Sequence, residues 1–253
     1  MAEIIGATST KSSKKITPGK PGAIQGVYGF RNLDRMKNLL CSQHELWRSF
    51  LDGNRLSEWN KSIDRTEEVG NLPVLEWLHV NRSEGCTTGA MNCAARNGHL
   101  SVVEWLHVNR SEGCTTNAMD WAAAHGHLSV VEWLHANRSE GCTTEALGSA
   151  ARNGHLSTAK WLHANTFKGC SEGAMDDAAG NGHLSAVEWL HANCSEGCTR
   201  EVMDCATGNG HLSVVEWLHA NYSGGFKTHA MDWAAENGQL SMVEWLHANR
   251  SEG

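Results

Sequence analysis

From about residue 71 onward, apolar positions fall into two alternating registers. A block such as Ala118-Met119-Asp120-Trp121-Ala122-Ala123-Ala124 is short and dominated by small apolar residues. The block after it carries Leu128, Val130, Val131, Trp133 and Leu134 as a stripe at helical spacing. Gly126 separates them, at the left-handed position beyond a helix C-terminus. Thr115 or Thr116 can cap the first block, since a hydroxyl there takes up an orphan N–H. Ser129-Val-Val-Glu132 resembles a capping box for the second, and the pattern equally allows a start one or two residues earlier. Asn137-Arg138-Ser139-Glu140-Gly141 is a return turn. The pattern predicts helix, turn, helix, turn, with no strand.

The same unit returns down the chain. Gly98, Gly126, Gly154, Gly182, Gly210 and Gly238 lie 28 positions apart, and Trp77, Trp105, Trp133, Trp161, Trp189, Trp217 and Trp245 keep that step. A fixed period of this size predicts a solenoid, in which each unit buries its apolar face on its neighbours. Six units occupy residues 86–253. Residues 58–85 are a degraded copy, in register at Gly70, Leu72 and Trp77 but polar at Lys61, Asp64, Arg65, Glu67 and Glu68, as an N-terminal cap of the 58–253 array would be. Pro73 fits the first turn of that copy's second helix. Ahead of the array, Phe30, Leu33, Met36, Leu39 and Leu40 predict one helix. The capping box Ser42-Gln43-His44-Glu45 opens another, so residues 28–57 read as a helical segment. Residues 1–27 hold Ser, Thr, Lys, Gly and Pro with too little apolar surface to fold, and read as a disordered basic tail.

Charge and cysteine usage narrow the function classes. The chain of 253 residues has a formal charge of −7 although its first residues are basic, so the repeats are acidic. That argues against nucleic acid as a partner, which needs a basic face. No run of apolar residues is long enough to span a bilayer, so no membrane association is expected. The N-terminus has no apolar leader core, which points to a cytoplasmic or nuclear protein that is not secreted. Of the 9 cysteines, Cys86, Cys114, Cys142, Cys170 and Cys198 share one column with Phe226. A column that accepts Phe is an apolar packing site. Its members sit in successive units roughly 8–10 Å apart, beyond the reach of about 7 Å that a disulfide allows. They are expected to be reduced thiols.

Ala94-Ala95-Arg96-Asn97-Gly98-His99-Leu100-Ser101-Val102-Val103 resembles the A-A-x-x-G-H-x-x-V-V core of ankyrin repeats, and the likeness recurs through residues 71–253. The resemblance implies an all-α, ankyrin-like α-solenoid of stacked helix–turn–helix repeats. Two departures stand out. Ankyrin units run to about 33 residues, and the shortfall here lies between the second helix and the next first helix, so the β-finger should be cut to a tight loop. Asn117-Ala118-Met119-Asp120 stands where the family has T-P-L-H. What the resemblance implies for function is a non-catalytic protein–protein interaction scaffold.

The candidate chemistry is sparse. Glu104-x-x-His107, repeated in most units, has the ligand spacing of di-iron bundles. Those sites need facing motifs, whereas parallel-stacked helices point theirs the same way, so a solvated face with a local charge–imidazole contact is expected. His191, Cys194 and Cys198 fall short of the four ligands of a structural zinc site, and no metal or cofactor is expected. The column Asp120, Asp176, Asp204 and Asp232 has no paired base. Without a nucleophile, base and orienter, the chain is expected not to be an enzyme.

Comparing units with one another locates a candidate binding face. Ala118, Met119, Ala122, Gly126, Leu128, Trp133 and Leu134 belong to nearly constant columns. Three columns vary. One holds Gly89, Asn117, Glu145, Gly173, Glu201 and His229. The second holds Cys93, Trp121, Ser149, Asp177, Cys205 and Trp233. The third holds Arg96, Ala124, Arg152, Gly180, Gly208 and Glu236. Spaced i, i+4, i+7, they form one face of the first helices, expected to line a concave groove that takes a protein or peptide. Trp121 and Trp233 would be anchors, Arg96 and Arg152 would set charge at one end, and Glu201 and Glu236 at the other, with Glu145, Asp177 and His229 between. The alternative is an adaptor or spacer arm that presents the N-terminal helical segment to another factor. Met242, Val243, Trp245 and Leu246 in the last unit are expected to leave an uncovered side, which implies a fragment of a longer chain, a truncated gene product, or end-to-end association through that side.

Overall fold

The computed structural model describes residues 70–81, 86–166, 169–171, 173–195, 197–199, 201–222 and 230–249. The expectations for residues 1–27, for 28–57, for the first half of the cap and for His229 fall outside these residues. The described residues contain helices and no strand. In chain order these are α1 (Leu72–Asn81), α2 (Thr88–Arg96), α3 (Leu100–Asn109), α4 (Thr116–Ala124), α5 (Leu128–Asn137), α6 (Glu145–Arg152) and α7 (Leu156–Asn165). They continue as α8 (Ala174–Gly180), α9 (Leu184–Asn193), α10 (Val202–Gly208), α11 (Leu212–Asn221), α12 (Ala230–Glu236) and α13 (Leu240–Asn249). Even-numbered helices are the first of each unit and odd-numbered helices the second.

Local chemistry fixes the boundaries. Thr87 and Thr115 are extended N-cap residues whose hydroxyls accept the Gly89 and Asn117 amides. Of the two threonines that could cap α4, Thr115 does so. At the far end of α2 the chain closes as a Schellman turn. Gly98 N–H donates to the Ala95 carbonyl and His99 N–H to the Ala94 carbonyl, with Gly98 at φ +74°. The second helices start at the leucine that follows, one residue ahead of the serine of the apparent capping box. His99 or His127 occupies the N-cap there without a side-chain capping bond. Their C-termini are tied by Asn109, Asn137, Asn165, Asn193 and Asn221, each donating 2.8 Å to the carbonyl of the tryptophan one turn back.

Packing divides the two helix rows. First helices bury alanine pairs completely, for example Ala94 and Ala95, Ala122 and Ala123, and Ala150 and Ala151. With no bulk beyond Cβ, their backbones approach closely, and neighbouring first helices pack much more densely than neighbouring second helices. The second helices contribute Val102, Val103, Leu106, Val130, Val131 and Leu134, all fully buried. The tryptophans and the leading leucines of that stripe are only half-buried. In the last described unit Met242 and Leu246 are buried against their own unit, while Val243 and Trp245 are half-buried and Leu240 is exposed. The expected uncovered side therefore does not include Met242 or Leu246.

Candidate functional site

Three kinds of contact recur from unit to unit and account for most of the constant polar residues. The first joins the aspartate column to the next unit's capping threonine. The Thr143 amide donates 2.8 Å to Asp120 Oδ1 and its hydroxyl 3.0 Å to Oδ2, while that hydroxyl accepts the Glu145 amide. The Thr199 amide donates to both carboxylate oxygens of Asp176, at 3.0 and 3.3 Å, and Asn92 substitutes with 2.9 and 3.1 Å bonds to Thr115. Gly148 breaks the column, and its neighbour there is Ser171, whose hydroxyl fills the space a Cβ would need. These carboxylates splice one unit to the next.

The second contact joins each turn glycine to the histidine one unit on. A Cβ on Gly98, Gly126 or Gly154 would lie 2.5–2.6 Å from Nδ1 of His127, His155 or His183. Burial holds the His127 and His155 imidazoles below their usual range, and neighbouring histidines, His125 foremost, push the same way. For His127 a backbone hydrogen bond at Arg96 opposes the shift. Gln239 occupies the histidine place in the last unit and donates 3.1 Å to the Gly208 carbonyl.

The third contact uses the Glu-x-x-His motif. The imidazoles of His79, His107, His135, His163, His191 and His219 meet, edge to face, the tryptophan one unit on, at 5.1–5.3 Å between ring centroids. The expected contact with the glutamate of the same helix gives way to this inter-unit pairing, because parallel-stacked helices bring corresponding residues side by side.

In three units the residue following the second helix folds over its own unit's column cysteine. Arg138 interacts with Cys114, pairs with Glu140 and approaches His107 Nδ1 at 3.3 Å. Tyr222 bonds His191 Nδ1 at 2.7 Å and reaches Cys198, and burial pushes its phenol up to about 12. Burial likewise raises the thiols of Cys114 and Cys198. In the unit starting at Cys170 the covering residue is Cys194, and the two form a disulfide with Cα atoms 6.0 Å apart. This corrects the expectation of thiols throughout. The column argument compared cysteines in different units, whereas the bond closes within one unit, between its first residue and the end of its second helix. Cys86, Cys114, Cys142 and Cys198 stay as thiols. The set His191, Cys194 and Cys198 is not assembled, since His191 and Cys198 both turn to Tyr222.

The variable columns lie on the surface of the first helices. Trp121 is 36% and Trp233 40% exposed, and Glu145, Arg152, Glu201, Arg96 and Glu236 are exposed too. Neighbouring units meet along this face. The Arg96 guanidinium lies over the Trp121 ring at 5.9 Å, and Arg152 Nε donates 2.9 Å to Asp177 Oδ2. The Arg152 charge is thus balanced by Asp177 rather than offered at one end of the face, because the third variable column of one unit abuts the second column of the next. Sequence comparison identified these columns but missed that adjacency. Asp120, Asp176 and the two histidine columns, by contrast, are engaged in contacts between units.

Residues 69–107, 119–163 and 170–219, more than half of the chain, match a family model described as ankyrin repeats in many copies. No curated protein matches the chain.

Proposed function

The chain belongs to the ankyrin-repeat family, and on that premise we propose that it is a non-catalytic scaffold that binds a protein or peptide along the variable face of its first helices. Ankyrin repeats generally mediate protein–protein interaction. The observation that carries the finer reading is the exposure of two tryptophans in one otherwise polar, unit-to-unit variable column. Exposed indole is costly in water and is enriched among residues that anchor interfaces. Trp121 stacked beneath Arg96 makes a flat aromatic–cation platform, suited to a partner side chain or backbone laid across it. The dense packing of the first-helix row supports the placement, since a stack that is tighter on one row curves toward that row.

Capture from a lysate with the wild-type chain and with a Trp121→Ser/Trp233→Ser double variant tests the reading. Loss of partners seen with the wild type supports it, and an unchanged partner set overturns it. A chain lacking residues 1–57 separates the two ways of working. Retained partners favour the repeat face, and loss of every partner favours an arm that presents the N-terminal segment.

A further inference from the structure

The junction around Cys194 differs from its counterparts in chemistry while keeping their geometry. At two other junctions the residue after the second helix lies between the histidine of the preceding unit and the first residue of its own unit. Arg138 lies between His107 and Cys114, and Tyr222 between His191 and Cys198. With Cys194 in that place, the same frame brings together His163, Cys170 and Cys194. One donor atom from each lies within 4.8 Å of the other two. The imidazole is oriented independently of the sulfurs, through its edge contact with Trp189 at 5.2 Å. A disulfide needs two sulfurs only. Here a third donor, an imidazole nitrogen held from another unit, stands at the same place.

We propose that the reduced pair Cys170 and Cys194, together with His163, is a three-donor site for a thiophilic d10 cation, Zn2+ or Cu+. Two thiolates and one imidazole are a soft set that suits these ions and disfavours Mg2+ and Ca2+, which require oxygen ligands. Zn2+ bound there keeps a fourth position open to water, while Cu+ is satisfied by three ligands. The disulfide and the metal site are alternative states of the same sulfurs. A dithiol reduces the S–S bond by exchange, giving up two electrons and its two thiol protons as it closes to its own disulfide, and a phosphine does so with one water, whose oxygen it keeps as phosphine oxide and whose two protons complete the two thiols. Cation binding then displaces both thiol protons to solvent, so affinity falls as pH is lowered. The site spans two units, whereas the disulfide lies within one. The reduced, loaded state therefore clamps the junction between α7 and α9, and the oxidised state leaves it to packing. This proposal is independent of any partner on the variable face.

The test is a Zn2+ titration of the full-length chain, reduced with a phosphine under argon, in competition with a chromogenic chelator. Cys194→Thr and His163→Phe are measured beside it. Thr166 occupies the equivalent of Cys194 in the preceding unit, and Phe preserves an aromatic edge toward Trp189, so both variants should fold, as helical circular dichroism will show. The expected result is one tight equivalent in the wild type that weakens about a hundredfold or more in Cys194→Thr and about tenfold or more in His163→Phe, with Cys205→Ser unchanged. A parallel titration with Cu+ against a cuprous chelator identifies the ion, and a Cys194-dependent equivalent of either ion supports the site. The same affinity in the wild type and Cys194→Thr for both ions overturns it. So does equal binding by the oxidised wild-type chain, since both results assign the metal to the other thiols. An unchanged affinity in His163→Phe also overturns it, by removing the third donor.

Discussion

The two sides of each first helix are ruled by different partners. On one side Ala122 and Ala123 are fully buried and Asp120 is bonded to Thr143, so these residues face the adjoining units. On the other side the side chains of Asn117, Trp121 and Ala124 point away from the core, where Arg96 lies over the Trp121 ring and Asn153 donates 2.7 Å to the Ala124 carbonyl. The first side hardly changes between units because every unit meets the same neighbour. The second side changes because stacking demands no one side chain there, and the pairs that meet across it, Arg96 with Trp121 and Arg152 with Asp177, differ from joint to joint. Constancy within this chain therefore records one contact repeated at every joint, and variation records contacts that differ.

Substitutions of graded severity should break this contrast in order. Leu134→Ala removes a fully buried side chain and should cost about 2–5 kcal/mol, read as a lowered urea midpoint. Gly126→Ala follows. Its φ of +75° strains any L-residue, and its new Cβ would meet the His155 ring at 2.5 Å. A loss of about 2–3 kcal/mol is expected, against about 1 kcal/mol for Gly141→Ala, where φ is +68° but nothing lies near. Equal losses at the two glycines would mean that the histidine contact contributes nothing. Asp120→Ala should cost about 1–2 kcal/mol by stranding the Thr143 amide and hydroxyl.

Acidification acts through the histidine ladder. His127 and His155 have depressed folded-state pKa values, so the unfolded chain binds more protons. Their contribution is fully present above the unfolded value near 6.5 and is lost as pH falls through it toward the folded values. Thermal midpoints between pH 8 and 5 should decline on the acid side, and the slope should shrink in His127→Gln, a replacement already present in the column at Gln239. An unchanged slope would remove His127 from the account. The smallest effect on stability is expected from Trp121→Ser, below about 0.5 kcal/mol by denaturant titration because the residue lies on the surface. The same variant should carry a large effect on partner capture. A large destabilisation instead would place Trp121 with the scaffold.

Much of the fold was legible because its cause is local and repeated. Thr115 opens α4 and Gly126 closes it for reasons contained in a few residues, and the period copies them. What the sequence concealed is contact between different columns. Asp120 gave no hint of Thr143, since a carboxylate and a hydroxyl separated by a loop carry no shared period. Cys194 stood outside the cysteine column, and only the fold of the return turn shows that it lies over the first residue of its unit, as Arg138 and Tyr222 do in theirs. Arg152 was read as an end charge because its pairing with Asp177 depends on how far one unit is rotated on the next. The candidate face was visible as variation, but its internal pairings were not.

The glycine-to-histidine contact runs in one direction. Gly98 receives His127, Gly126 receives His155, and Gly154 receives His183. Each of these units thus has a socket on one side and a plug on the other, and only at Gly210 does a glutamine, Gln239, take the histidine's place among the described joints. A duplicated unit spliced between two others would find both fittings ready, and no existing joint would need to change. A gene that encodes such units can lengthen by unequal exchange through intermediates that all fold. Each copy would arrive with a new triplet of outward residues that selection is free to rewrite. The same joint that makes the units alike is what lets their outer faces diverge.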